Sequence, residues 1–160
     1  MTNPATTHNV WEAINKELFA VLGMVTENHQ SRTVGIVYLV KNDKFYIGTG
    51  LQTWKARHIS SNPSVSMTIP IAKRVPIAPW VKVPQGTITF SGTAKIIPGD
   101  QATPELLQAV FRHKADDGEF MKESCLIEVV PRGDFITYGI GIPLIQMRHP
   151  HLARGRAPVR

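Results

Sequence analysis

The sequence predicts an α+β fold built mainly on antiparallel strands. Three observations carry that prediction. Runs of alternating apolar and β-branched residues recur along the 160-residue chain. A two-residue polar break, Asn42-Asp43, joins two such runs. Helical spacing is confined to a few short stretches. The pattern amounts to about six or seven strands with two or three helices packed outside; antiparallel strands joined by hairpins and closing on themselves form a small barrel.

The elements follow in order. Val10, Trp11, Ile14 and Leu18 fall at helical spacing, with Asn9 placed to cap. The pattern switches to a strand near Phe19-Ala20 and runs through Val25, and Glu27–Ser31 is a polar turn. Thr33–Lys41 and Lys44–Thr49 read as the two arms of a tight hairpin about Asn42-Asp43. A short helix opens at Thr53 and is stopped by Asn62-Pro63, and Ser64–Ile71 alternates as a strand. Pro70–Pro84 carries four prolines and reads as a loop. Gln85–Ile97 is a long strand, with Gly92 at a bulge or sharp bend. Thr103 caps a helix with Pro104 at its first position, and Leu106, Leu107, Val110 and Phe111 form its buried face. Asp116-Asp117-Gly118 ends that helix, and Glu123–Val130 and Asp134–Ile140 are two further strands about Pro131-Arg132-Gly133.

Composition narrows the function classes. Hydrophobic content of 42% with 19% charged residues is that of a globular chain with one core. No apolar run approaches a membrane span, and the first residues lack the order of a signal peptide, so the expected setting is the cytoplasm without a membrane partner. The single cysteine, Cys125, lies in an apolar strand pattern as a small buried hydrophobe and rules out an intrachain disulfide. The net charge of +6 is uneven: Gly141–Arg160 holds four arginines and no acidic residue. Lys73, Arg74 and Lys82 form a second basic patch. Basic surface attracts anions, but the chain has no nucleic-acid motif and nucleic acid is not an expected partner.

The junction after the second hairpin strand carries the most chemistry. Gly48-Thr49-Gly50 runs into the helix that opens at Thr53, with Trp54 and Lys55 in its first turn. Unpaired N–H groups at a helix start, two hydroxyls, a lysine and glycines that allow close approach are what a phosphate needs. The residues alone leave a plainer reading open, in which Thr53 is only a cap and Lys55 a solvated lysine. Other constellations are weaker. The six histidines make no metal site; His149 and His151 stand two apart without a third ligand. Ser66, Ser91 and Ser124 lack a nucleophile elbow, so no catalytic residue is named.

Several of these pieces together resemble the pyridoxamine 5′-phosphate oxidase-like family of FMN-binding split β-barrels. They are the hairpin, the Thr49…Thr53-Trp54-Lys55 spacing, the return through Asn62-Pro63-Ser64-Val65-Ser66, the strand Phe90-Ser91-Gly92-Thr93-Ala94, and the late strand Leu126–Val130 ending in Pro131. The resemblance covers roughly Trp11 to Gly139. It implies a split-barrel domain over residues 1–140 and a basic tail over 141–160, packed on that domain or on a partner subunit. It implies FMN as cofactor, with its phosphate on Thr49, Thr53 and Lys55, and with Val34, Gly35, Ile36 and Val37 beside the ring. Arg32 can reach a phosphate or ribityl oxygen, or serve as a turn arginine in water. Trp54 and Trp80 can stack on the flavin or on a substrate, or pack within or between subunits.

The resemblance further implies an oxidoreductase acting on a small-molecule substrate or electron donor, and a homodimer with the cofactor at the subunit interface. It departs from the oxidases proper in two places. They carry Ser-Arg-Lys where this chain has Thr53-Trp54-Lys55, and the ending RGRAPVR does not match their substrate-binding end. The implied activity is therefore not oxidation of pyridoxamine phosphate itself. Alternatives on the same fold are a deazaflavin with its tail along Lys73, Arg74 and Lys82, haem on His149 or His151, or a non-catalytic flavin-binding module.

Overall fold

A computed structural model describes residues 5–73, 80 and 82–160. Among these the elements are α1 (Thr7–Asn15), β1 (Phe19–Val25), β2 (Ser31–Val37), β3 (Leu39–Lys41), β4 (Lys44–Gly50), α2 (Trp54–Ser61), β5 (Ser64–Ile71), β6 (Gly86–Pro98), α3 (Pro104–Phe111), α4 (Gly118–Lys122), β7 (Ser124–Tyr138), α5 (Pro150–Ala153) and β8 (Arg154–Pro158). Hydrogen-bonded strands run in the order β2-β1-β5-β6-β7-β4-β3, and β8 pairs with β7 beside that path. The pairs β1–β2, β3–β4, β4–β7 and β7–β8 are antiparallel. The fold is α+β and mainly antiparallel, as the sequence predicts.

The chain divides into two compact units. One comprises residues up to Glu17, Thr68–Phe90 and Arg132–Arg160; the other comprises Leu18–Met67 and Ser91–Pro131. In the first, Val10, Ile14, Ile69, Ile88, Phe90 and Phe135 are buried. Phe135 meets Trp11 and Phe90 edge-on at 5.2 and 5.4 Å between ring centroids. The Trp11 indole N–H donates to Val159 O at 3.3 Å and the Thr7 hydroxyl to Pro158 O at 2.7 Å, so α1 is tied to the chain's end.

In the second unit Leu22, Phe45, Ile59, Met67, Leu126 and Ile127 are buried. Leu107 of α3 and Met121 of α4 pack on Leu126, with Val110, Phe111 and Phe120 around them. Gly48 makes room for α3: a Cβ there would lie 2.7 Å from Val110 Cγ1. Gly92 lies under β7, where a Cβ would stand 2.9 Å from the carbonyl oxygen of Val130.

Four sequence expectations are corrected. Thr6, not Asn9, caps α1, because its hydroxyl accepts the Asn9 N–H and starts the helix earlier. Thr33–Lys41 is not one hairpin arm. It breaks at Tyr38 into β2, which pairs with β1, and β3, which alone forms the hairpin with β4. Asp117 begins a helix rather than ending one, its carboxylate accepting from the N–H groups of Glu119 and Phe120. The last two strands are one, β7, which carries Gly133 at φ 73 within it. Within the tail expected over 141–160, residues 154–158 form β8 against Asp134–Tyr138. The expected proline-rich loop lies partly outside the described residues, including Arg74; Lys73 is half-buried, and Lys82 and Trp80 are exposed.

Candidate phosphate and flavin site

Four of the singled-out residues meet at the start of α2. Gly50 ends β4 opposite Ser124 of β7, and Leu51 N–H donates to Glu123 O at 2.7 Å, which fixes the loop that follows. Thr53 is the N-cap of α2. Its hydroxyl donates to Gly50 O at 2.8 Å and accepts from Ala56 N–H at 3.4 Å. The Thr49 hydroxyl lies 3.3 Å from it. Since the Thr53 hydrogen goes to Gly50 O, the hydrogen between the two hydroxyls comes from Thr49. Thr53 thus serves as a cap in full, and presents a hydrogen to a ligand only by turning away from Gly50.

The charge at this end is positive. The first turn of α2 holds no acidic residue. The N–H groups of Trp54 and Lys55 precede any acceptor four residues back and point out of the helix start. Lys55 is half-buried with its Nζ 6.0 Å from the Trp54 ring centroid, and Trp54 meets His58 edge-on at 5.7 Å. Burial pushes the Cys125 thiol up, and the charge of Lys55 opposes that shift. The Lys55 charge is therefore felt at Cys125, the ladder partner of Thr49. A cavity of about 620 Å³ adjoins the loop, lined by Gly50, Leu51, Gln52, Thr53, Lys122 and Glu123. This donor set of hydroxyls, N–H groups and an ammonium suits a phosphate. The cleft of about 640 Å³ on α2 between Arg57, His58, Ser60 and the Thr26–Asn28 turn touches none of Thr49, Thr53 or Lys55.

Arg32 and Val34–Val37 lie apart from that cradle in sequence, on β2. This strand is first in the sheet order, so one of its edges faces away from β1. Ile36 is buried, Val34 is half-buried, and Gly35 and Val37 are exposed. Backbone groups along a free edge can bond the polar rim of a flat heterocycle without particular side chains. Arg32 is exposed near the start of β2, and its guanidinium donates to Ser31 O at 3.1 Å and to Gln30 Oε1 at 2.9 Å.

Glu128 escaped the sequence reading. It sits buried in β7, opposite Tyr46 of β4. The Tyr46 hydroxyl donates to it at 2.9 Å, and Lys44 and Lys95 each approach at 3.3 Å. Burial raises the Glu128 carboxyl, but the bonds from Tyr46 and Lys95 and the charge of Lys44 outweigh it and hold the group below its ordinary value. Burial, the bond to Glu128 and its charge push the Tyr46 phenol up to about 12. The signal was present: one carboxylate within the apolar run Leu126–Val130 predicts a paired buried charge. Among the described residues no set of three metal-ligand side chains is grouped, and no helix is long and apolar enough to cross a membrane.

The profile of the pyridoxamine 5′-phosphate oxidase family matches residues 6–132, from α1 into β7. The chain belongs to this family. Solved structures similar to it include three named for a ligand or a reaction. One is the haem storage protein HutZ from Vibrio cholerae, with 14% identity, 84% of this chain and 95% of that chain covered, and a TM-score of 0.65. Another is a haem-binding protein from Mycobacterium smegmatis, with 13% identity, 87% and 56% covered, and a TM-score of 0.63. The third is an F420 reductase, with 18% identity, 78% and 93% covered, and a TM-score of 0.54. At these identities the likeness is one of fold. No curated protein matches the chain. The family match ends before the basic tail and β8.

Proposed function

We propose that this member of the pyridoxamine 5′-phosphate oxidase family is an FMN-binding oxidoreductase. The observation that carries the reading is the positive start of α2, where Thr49, Thr53 and Lys55 converge beside free helix N–H groups. When bound, FMN supplies the exchange of a hydride or electrons between a reduced donor and a small acceptor. The chain's own task is to hold and orient it. Lys55 offsets phosphate charge, the Trp54 and Lys55 N–H groups fix the phosphate oxygens, and the outer edge of β2 at Val34–Val37 lies along the ring. We also propose a homodimer that places the cofactor at the subunit interface, and the cytoplasm as its setting.

The test is an absorbance and fluorescence scan of protein purified without added cofactor, followed by FMN titration of the stripped protein. Flavin bands and tight rebinding, weakened by Lys55→Ala with the fold intact, are the expected result. A colourless protein that ignores FMN overturns the reading, and the same spectra reveal haem or a deazaflavin in its place.

A further inference from the structure

A third cleft, of about 330 Å³, lies in the same unit as the phosphate cradle but shares no residue with the cavity there. Leu18, Val37, Leu39, Val110 and Phe111 make its lining mostly apolar. Leu18 and Val37 leave 69% and 66% of their surface in water, so apolar area there is still open to be covered. That volume is in the range of small-molecule sites.

Among the described residues of the lining, Arg112 is the only charged one. It follows α3 with φ 55 and ψ −127, a left-handed conformation that favours glycine, yet an arginine stands there. Its N–H closes the helix on Gln108 O, while its guanidinium makes no hydrogen bond or ion pair among the described residues. Two tyrosines also line the cleft: Tyr38 is buried, and the Tyr46 hydroxyl is already given to Glu128, whose charge Lys44 and Lys95 meet. No carboxylate among the described lining residues opposes an anion.

We infer that this cleft binds a small, largely apolar organic anion whose single carboxylate or sulfonate is read by Arg112. An apolar wall with one unpartnered guanidinium at its side selects that chemistry: the ring or chain covers Leu18, Val37 and Phe111, and the acid takes the fork of donors. Val37 also belongs to the strand assigned to the flavin ring. This makes such an anion the substrate class of the proposed oxidoreductase, a step that rests on the flavin reading.

The test uses 2-naphthoate and its neutral counterpart 2-naphthylmethanol, titrated by their own fluorescence into stripped protein and, separately, followed by flavin absorbance in FMN-loaded protein. The acid should bind about tenfold or more tighter than the alcohol, the difference that one charge-assisted bond supplies. Arg112→Gln should erase that preference and Arg112→Lys restore part of it, with melting temperature as the fold control. Ala109→Trp, at an exposed position of the lining, should fill the cleft and weaken both probes. Equal affinity for acid and alcohol in the unaltered protein, or an unchanged preference in Arg112→Gln, overturns the site. Binding of the acid by a protein that never takes FMN keeps the site and removes the flavin reading. FMN binding without naphthoate binding does the reverse. Naphthoate that binds the loaded protein without shifting the flavin bands removes the substrate assignment.

Discussion

The Tyr46 hydroxyl donates to Glu128 Oε2 over 2.9 Å, across a pair of residues that face each other on β4 and β7. This bond joins the hairpin to the longest strand, at a buried charge. Lys44 and Lys95 complete the group from more exposed positions, with 37% and 64% of their side chains in water. Glu128→Gln therefore leaves two lysines that can turn to solvent, and should cost about 1–3 kcal/mol at neutral pH rather than the larger loss of a stranded buried charge. Because the folded carboxyl is held below its ordinary value, its contribution is present above the unfolded pKa and is lost as pH falls through the folded one. Urea midpoints of the two proteins should differ at pH 7 and converge in acid.

Tyr46 works in the opposite direction. Its phenol is raised from 10.0 to about 12, so in that window the unfolded chain sheds the proton and the folded chain keeps it. Stability contributed by Tyr46 is complete below pH 10 and declines as pH climbs through that window. Tyr46→Phe should flatten this alkaline decline, as read from denaturation midpoints between pH 9 and pH 12 against the unaltered protein.

At α2, two neighbours should separate by readout. Thr53→Ala removes a cap that accepts the Ala56 N–H and should cost about 1 kcal/mol of stability. Lys55→Ala touches no cap and should leave the melting temperature in place. It should weaken FMN at least about tenfold while leaving riboflavin, which lacks the phosphate, unaffected. Equal losses for both ligands would remove Lys55 from the phosphate.

The hairpin turn holds Asn42 at φ 52 and Asp43 at φ 57. Two left-handed residues in succession are what a type I′ turn requires, with Asn-Gly its best sequence. Asp43→Gly should raise stability by about 0.5–1 kcal/mol and Asp43→Val lower it by about 1–2 kcal/mol, both measurable as shifts in urea midpoint.

Gly92→Ala should be costly for a different reason. The added Cβ would stand 2.9 Å from Val130 O and 3.0 Å from Val129 Cγ1, the first of which is backbone and cannot swing away. A loss of about 1–3 kcal/mol is expected by thermal melting.

These cases mark what could be read in advance. The turn at Asn42-Asp43, the caps at Thr53 and Thr103, and the buried face of α3 all depend on residues within a few positions of one another, and each was legible. Gly92 was read as a bulge or sharp bend; its close contact under Val130, a residue 38 positions away in number, could not be read from its neighbours. Of the candidate site, the meeting of Thr49, Thr53 and Lys55 followed from local spacing. That the Thr53 hydrogen is spent on Gly50 O did not, because a hydroxyl's partner depends on where the loop folds back.

By itself the sequence determined the fold class, most strand positions, the chemistry at the start of α2 and the fate of Cys125, because side-chain period and local capping are properties of neighbouring residues. Only the tertiary structure decided that the run through Tyr38 divides between two strand partners, that Asp117 starts α4, and that Arg154–Pro158 joins the sheet as β8. It also decided that Glu128 is answered by Tyr46, Lys44 and Lys95. Alternation says which face of a strand is buried and is silent on which strand lies beside it. That choice is made by hydrogen bonds and packing between residues far apart in the chain.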